Sequence, residues 1–419
     1  MSTAAETEPA AVNSSYRDVL LRNRRMAGLL LGDLLANAGT GMLIVAMPVQ
    51  TLAVHGTVDA AVAIGMVEAA PFLLSTVLAL AISLGRLSAT PRRLLLADCV
   101  LRAVTFTGLG ALAVAGRLTL PLLVGGLLLG STFRMAGSSS RRLLATSMVG
   151  DTDRFAVNGL LGLGGNFALL VLGPVAGGLL VAGAGAGWAL LADACGALIL
   201  LASLLRYVPQ AAAVRAESGL EPPEPERESG WRILRRRPVA RRLLVVVFFF
   251  NFLYMPIEVA LPLYVREALH TGASGLGLLW TALGVGALAG AGLVDRLRNL
   301  PQRPLLIAII ALWALCPMAL ASIGNQTAAM VVFSLGGLIW APFTPVAYSF
   351  LQSGLRPGEQ QPVVTLWTTG STVAAPLGLL AAGPLIALTG IHTSLVLSGL
   401  LTMLLVPLAA WGVLTRADP

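Results

Sequence analysis

The segment LLVVVFFFNFLYMPIEVALPLYV, residues 243–265, decides the fold class of this chain. It is almost unbroken apolar sequence, and an α-helix of about 20 residues is long enough to cross the ~30 Å hydrocarbon layer of a bilayer. One carboxylate, Glu258, interrupts it. A soluble protein would keep such a group in water, and a passive membrane anchor would not need it. The segment therefore predicts a membrane-spanning helix in which Glu258 serves the function of the protein rather than only anchoring it.

The whole chain repeats this pattern. Of its 419 residues, 56% are hydrophobic and 11% are charged, whereas soluble domains carry about 25% charged residues. The period-two alternation of a membrane β-barrel is absent. The sequence predicts an all-α membrane protein with 12 transmembrane helices, over residues 26–54, 58–85, 91–115, 118–140, 154–182, 186–206, 241–266, 272–294, 304–322, 326–353, 361–388 and 393–414.

The arginines predict the orientation of these helices. All 28 basic residues are arginine, and with alternating loops 24 of them lie on the same side as the N-terminal tail. Two, Arg117 and Arg266, lie on the other side, and Arg102 and Arg134 fall within helices. Basic loops mark the cytoplasmic side, so both termini are predicted to be cytoplasmic. This distribution also accounts for the net charge of +8, so we expect no nucleic-acid partner.

A polar segment divides the twelve helices into two sets of six. The predicted organisation is a tail over 1–25, a six-helix bundle over 26–206, a linker over 207–240, a second bundle over 241–414 and a tail over 415–419. The first 25 residues lack the apolar core of a cleaved signal peptide. The basic end of the linker, WRILRRRPVARR, could lie on the anionic inner leaflet or act only as a topology determinant.

Local sequence adds a family resemblance to this outline. ALPLYVREALHTGASGLGLLWTALGVGALAGAGLVDRL (260–297), LLLADCVLRAV (94–104) and AVNGLLGLGGNFALLVLGPVAGGLL (156–180) resemble helices of the major facilitator superfamily, in the proton-coupled drug-exporter branch that includes macrolide and enterobactin exporters. The resemblance implies two helical bundles around a central cavity. It also implies a monomer in the cytoplasmic membrane of a bacterium.

Two shorter motifs carry further implications of the resemblance. GPVAGG, with Gly173, Pro174, Gly177 and Gly178, resembles the antiporter motif, whose small residues let helices approach closely and which favours efflux. AGLVDRLRNLPQR resembles the gating loop of the family, with Asp295 and Arg296 in place. The equivalent earlier loop, GRLSATPRR, lacks the Asp-Arg pair.

Several energy sources and chemistries are excluded by residue types. A chain without lysine cannot contain the GxxxxGK[ST] phosphate loop. No HExxH motif or aspartate-rich cluster occurs, and Cys99, Cys195 and Cys316 have no paired spacing. We therefore expect no enzyme activity, metal or cofactor, and an ion gradient as the energy source.

Five acids fall well inside the ends of the predicted helices: Asp33, Glu68, Asp98, Asp193 and Glu258. Ionisable groups at this depth usually face a partner or a water-filled cavity. Asp98 and Arg102 are four residues apart, so we expect a structural charge pair. The resemblance favours a packing or hydrogen-bonding role for Asp193. Arg134 could reach the cytoplasmic surface or pair with an acid in the cavity.

Asp33, Glu68 and Glu258 lack a local partner and are the candidates for proton coupling or substrate binding. Burial makes a carboxyl group harder to ionise, which a proton carrier requires. Each could instead be a buried acid held neutral by a hydrogen bond. The resemblance places Asp33 and Glu258 opposite each other across the cavity. Pro256 and Pro262 are expected to loosen the helix around Glu258.

The sequence thus predicts a secondary active transporter that exports an amphipathic small molecule, such as a drug, antibiotic or siderophore, by proton antiport and alternating access. Its partners would be the substrate, protons and the lipid bilayer. A proton-coupled importer on the same fold and a non-transporting membrane sensor or scaffold are the alternatives.

Overall fold

The computed structural model describes residues 23–83, 86–87, 89–209, 229–297 and 299–414, and the single residues 16, 20 and 214. Within these residues the regular secondary structure is helical throughout. Twelve helical spans are long and apolar enough to cross a membrane, which confirms the predicted fold class and helix number. Residues 415–419, most of the predicted tail over 1–25 and most of the linker predicted over 207–240 lie outside the described residues.

The spans are numbered α1 to α12 in chain order. Seven are continuous helices: α1 Arg24–Val54, α2 Ala60–Ser83, α3 Pro91–Val114, α6 Ala186–Tyr207, α7 Pro238–Glu267, α8 Ala273–Leu297 and α9 Gln302–Leu320. α11, Pro357–Thr389, is also continuous. The other four are built from segments: α4 from Leu120–Gly130 and Arg134–Ser147, α5 from Asp151–Phe167, Ala168–Leu172 and Gly173–Ala184, α10 from Gln326–Trp340 and Phe343–Ser353, and α12 from Ile391–Met403 and Leu405–Leu414.

The interruptions have local causes. In α4 the hydroxyl of Thr132 donates to the carbonyls of Leu128 and Leu129, 3.0 and 2.8 Å away, and so competes with the helical ladder. In α10 the break precedes Phe343 at Pro342, which cannot donate a backbone hydrogen bond. α7 stays continuous from Pro238 to Glu267 despite its two internal prolines, so the expected loosening around Glu258 does not break the helix.

The spans extend beyond several predicted boundaries. α4 continues to Ser147, so Arg141 and Arg142, which the sequence placed in a cytoplasmic loop, are helical. A short helix, Gly230–Arg236, precedes α7. It buries Ile233 and Leu234 and leaves Trp231 66% exposed.

Two ends of the molecule can be distinguished by their connections. The end where residues 207–209 leave α6 and 229–237 lead into α7 is called the linker end here; the other end carries loops such as 55–59 and 268–272 and is called the opposite end. By the distribution of arginines, the linker end is predicted to face the cytoplasm.

The six helices before the linker and the six after it meet closely near the opposite end. A β-carbon on Gly65 of α2 would lie 2.6 Å from the carbonyl oxygen of Leu379 of α11, and one on Gly383 would lie 2.8 Å from Cα of Val62. On the other side of the molecule, a β-carbon on Gly178 of α5 would lie 3.1 Å from the carbonyl oxygen of Ala273 of α8. Only glycine permits such close approach, so these contacts close the opposite end.

The same helices separate toward the linker end. α8 packs closely along the last segment of α5, Gly173–Ala184, but makes few contacts with its first segment, Asp151–Phe167. The five-residue π-helical segment Ala168–Leu172 lies between the open and the closed parts of α5. The space between the two halves is therefore open toward the linker end.

An aromatic cluster fixes the second half beside this space. The ring of Phe250 of α7 stacks on that of Phe343 of α10 with centroids 3.8 Å apart. Tyr254, one turn further along α7, stacks between Trp313 and Trp340 with centroids 5.5 and 5.8 Å away. Because these rings are held on several faces, the adjoining part of α7 has a fixed orientation.

The glycine contacts at the opposite end give a test of this conformation. Substituting Gly65→Val should force α2 away from α11 and open the opposite end, whereas Gly183→Val, at a position where a β-carbon meets nothing within 4 Å, should not. We expect a cysteine at position 43, which lines the space between the halves, to react with a membrane-impermeant maleimide in intact cells only in the Gly65→Val variant.

This experiment uses a Cys195→Ser background, because Cys195 is the exposed cysteine of the described residues. Equal labelling of both glycine variants would contradict the closed opposite end. Labelling of the parent protein in intact cells would contradict the predicted orientation.

Candidate functional site: the central cavity

A cavity of about 460 Å³ lies between the two halves near their middle. That volume falls within the roughly 300–1,000 Å³ of small-molecule sites. Its walls are mainly apolar and come from both halves, with flexible thioethers among the rings: Met47, Phe72 and Phe106 from the first half, and Tyr254, Met255, Trp280 and Trp340 from the second. Such a lining suits a flat or bulky amphipathic molecule.

Besides Arg102, which is held by Asp193 of α6, three charged side chains line this cavity without forming a direct ion pair within the described residues. They are Glu68 of α2, Arg134 of α4 and Glu258 of α7. The guanidinium of Arg134 lies over the ring of Phe72, 4.9 Å from its centroid, in the geometry of a cation–π contact. Two of these charges thus belong to the first half and one to the second.

Helical spacing explains how each group reaches the cavity. Glu68 and Phe72 are one turn apart on α2, so the ring beneath Arg134 lies on the same face as the carboxyl group. Tyr254 is one turn before Glu258 on α7, and its hydroxyl interacts with that carboxyl group. Arg134 is the first residue of the second segment of α4, directly after the break.

The electrostatics of the three groups are coupled. Arg134 attracts both carboxylates, and the two carboxylates repel each other. When both are ionised, the cavity holds one more negative than positive charge among these three groups. In a poorly solvated space this repulsion is much larger than in water. Uptake of one proton, or binding of one cationic group, would relieve it.

The structure corrects the predicted pairing of Arg102. Its Nε donates to Oδ2 of Asp193 on α6 at 2.8 Å, and a second guanidinium nitrogen donates to Oδ1 of the same carboxylate. Arg102 also donates to the hydroxyl of Thr40 on α1. Two parallel bonds to one carboxylate are the strongest geometry available to arginine. They prevail over the local i, i+4 interaction with Asp98.

Asp98 is consequently not the partner that the sequence predicted. Neither an ion pair nor a hydrogen bond joins it to Arg102 in the described part of the chain. Asp98 is 4% exposed, and its Oδ1 has no hydrogen-bond partner. The carboxyl group lies against Gly137 of α4, where a β-carbon would come within 2.6 Å of Oδ2.

Asp33 also differs from its predicted setting. It is 4% exposed and forms an ion pair with Arg141 of α4. It does not line the cavity, so the expectation that it faces Glu258 across the cavity is wrong. The reason is Arg141, which the sequence assigned to a loop. Arg141 is seven residues after Arg134, two helical turns along the same face, and this spacing was the available signal.

The residues of the two motifs lie at opposite ends of the helices. Gly173 and Gly177 lie against α1, where β-carbons would come within 2.7 Å of backbone atoms of Ala38 and Met42. Gly178 faces α8, and Pro174 shares this segment. Asp295 and Arg296 lie in the last turn of α8 at the linker end. Their role in gating stays a prediction.

The buried pair of Arg102 and Asp193 predicts a double-mutant cycle. Asp193→Asn alone should remove the counter-ion of a buried guanidinium and cost about 3–5 kcal/mol. Arg102→Gln with Asp193→Asn should restore most of that loss, because no unpaired charge remains. Thermal unfolding of the purified variants in detergent measures both effects. Additive losses in the double variant would show that the two side chains do not act as a pair.

Comparison with known proteins agrees with this architecture. Residues 29–361 match the sequence model of the Major Facilitator Superfamily. The chain is 28% identical over 401 residues to the multidrug efflux pump Tap of Mycolicibacterium fortuitum, covering 90% of this chain and 93% of the relative. It is also 28% identical over 397 residues to the multidrug efflux pump Tap of Mycobacterium tuberculosis (strain ATCC 25618 / H37Rv). This match covers 89% of this chain and 90% of the relative.

Solved structures show the same fold. The nucleoside transporter NupG aligns over 94% of this chain and 100% of its own, with a TM-score of 0.74 and 11% identity. A bacterial homologue of the human lysosomal transporter Spinster, in an inward-facing and unoccupied conformation, aligns over 96% of this chain and 99% of its own. Its TM-score is 0.67 and its identity is 14%. These matches identify a transporter, not an enzyme, and a multi-pass protein of the bacterial inner membrane. The chain belongs to the major facilitator superfamily.

Proposed function

We propose that this transporter exports an amphipathic small molecule in exchange for protons. The observation that carries the proposal is the central cavity, where Glu68, Arg134 and Glu258 converge from both halves among aromatic and methionine side chains. The apolar lining would hold the body of the substrate, and the acids would exchange protons. Asp33, the third candidate of the sequence, has a partner in Arg141.

Coupling follows from the position of the acids on different halves. Glu68 belongs to α2 and Glu258 to α7, so any rocking of the halves changes the distance between the two carboxylates. Protonation removes their repulsion and favours the conformation that holds them closest. A cationic or polar substrate that occupies the space would compete with the proton for the same negative charge. Competition of this kind makes the two fluxes exclusive, as antiport requires.

Two observations support export as the direction of transport. The relatives with 28% identity over about nine-tenths of the chain are named multidrug efflux pumps. Gly173, Gly177 and Gly178 occupy the close contacts of α5 with α1 and α8 near the closed end. In the proposed cycle this packing seals the cavity from the outside while substrate enters from the linker end. Drugs or other amphipathic compounds are the proposed cargo.

Transport into everted membrane vesicles tests the proposal. Ethidium and doxorubicin, both fluorescent and amphipathic, serve as probes, and a proton gradient is imposed with an acidic lumen. We expect accumulation of at least one probe in the parent protein, abolition by an uncoupler, and a loss of roughly tenfold or more in rate for Glu258→Gln and Glu68→Gln, which corresponds to about 1.4 kcal/mol.

Glu267→Gln provides the matched control, because Glu267 is an exposed acid at the end of the same helix, α7. It should transport like the parent protein. Proton-driven uptake into right-side-out vesicles instead of everted ones would support the importer. Full, uncoupler-sensitive activity of the Glu68→Gln/Glu258→Gln double variant would reject these acids as the coupling site.

A further inference from the structure

Asp98 of α3 is a buried acid that the cavity mechanism does not use. It is 4% exposed, and its Oδ1 lacks a hydrogen-bond partner, a state that only one other side-chain atom, Oγ of Ser371, shares among the described residues. An ionised carboxylate in such surroundings is destabilised far more than a neutral carboxylic acid. The burial and the missing partner together indicate that Asp98 carries a proton in this conformation.

The charged groups around Asp98 make their closest contacts with other residues. Arg102 lies on its own helix, Arg134 and Arg141 on α4, and Asp193 on α6. Arg102 is held by Asp193. Arg141 is held by Asp33 of α1. Arg134 lies over Phe72 in the cavity. Among the described residues, none of these guanidinium groups forms a hydrogen bond or ion pair with Asp98, although each attracts a negative charge on it from a distance.

The position of α4 connects Asp98 to the cavity. Arg134, Gly137 and Arg141 lie at spacings of three and four residues, and so on one face of this helix. On that face, Arg134 lines the cavity, Gly137 lies against Asp98, and Arg141 forms an ion pair with Asp33. A displacement of α4 that follows a change in the cavity would also change which carboxylate Arg141 can reach.

We propose that Asp98 is a second proton-binding site of the transport cycle, separate from the cavity acids. In the conformation open toward the linker end, Asp98 holds its proton. When the molecule switches, the guanidinium of Arg141 bridges Asp33 and Asp98, the O–H bond of Asp98 breaks, and the proton passes to water. Arginine has five donors, so it can serve two carboxylates. This step rests on the proposed proton-coupled function for its role in transport.

Infrared spectroscopy of the purified protein in lipid tests the protonation of Asp98 without any substrate. The carbonyl-stretch band of protonated carboxyl groups at neutral pH should lose one component in Asp98→Asn. It should keep that component in Glu68→Gln/Glu258→Gln and in the exposed control Glu267→Gln. A band unchanged by Asp98→Asn would mean that Asp98 is ionised, and the proposal would be wrong.

Isotope labelling covers the case in which Asp98→Asn does not fold. In the parent protein with carboxyl-labelled aspartate, the same component should shift, because the cavity acids are glutamates. If the component does not shift, no aspartate of the folded protein is protonated and the proposal fails.

The conformational step has its own test. Gly65→Val, which opens the opposite end, should abolish the Asp98 component, whereas Gly183→Val should retain it. Retention of the component in Gly65→Val, with its opposite end shown to be open by maleimide labelling, would mean that Asp98 is permanently neutral and takes no part in the cycle. These outcomes do not depend on whether Glu68 and Glu258 couple transport, which the vesicle assay decides.

Discussion

A charge inside a hydrocarbon layer must have a counter-charge, a set of hydrogen bonds or water, because its own hydration is worth several kcal/mol or more. This constraint organises the polar residues of the protein. Arg102 and Asp193 join α3 to α6, and Asp33 and Arg141 join α1 to α4. Both pairs lie within the first six helices, so they hold that half together as one body.

The second half satisfies the constraint differently. Its one acid at cavity depth in the described residues, Glu258, faces the cavity and so meets Glu68 and Arg134 of the first half. Its position is set by the packed rings of Phe250, Tyr254, Trp313 and Trp340. One half is thus fixed by buried ion pairs and the other by aromatic packing, and the charges that are free to change partner lie between them.

This division gives the conformational change a physical meaning. Glycine contacts close the opposite end and the halves separate toward the linker end, so in this conformation the cavity acids communicate only with the linker end. Motion of α4 would transmit a change at Arg134 to Arg141, since both lie on one helix face. In the proposed mechanism, protonation of the cavity and the state of the interior pairs are therefore linked through a single helix.

The twelve helices could be predicted from the sequence because each is an apolar block long enough to cross a bilayer. The sequence also indicated Glu68, Glu258 and Arg134, because charged residues at that depth are costly and rare. Prediction failed where a long-range contact prevailed over a local one. Arg102 bonds to Asp193 of α6 rather than to Asp98 one turn away.

The prediction for Asp33 was wrong for a related reason. The predicted helix ended at residue 140, directly before Arg141, the partner of Asp33, and the extension of α4 to Ser147 depends on packing against α3 that no local pattern encodes. The direction of transport and the pairing of acids across the cavity likewise depend on how the halves meet, which single helices do not specify.

Proton release from the purified protein tests the central claim most directly. Ethidium or doxorubicin, whichever is accumulated by vesicles, is added to a weakly buffered solution containing a pH indicator. The account predicts that binding releases protons from the parent protein and from Glu267→Gln, and that the Glu68→Gln/Glu258→Gln variant binds the compound with this release abolished. Undiminished proton release from that double variant would contradict it.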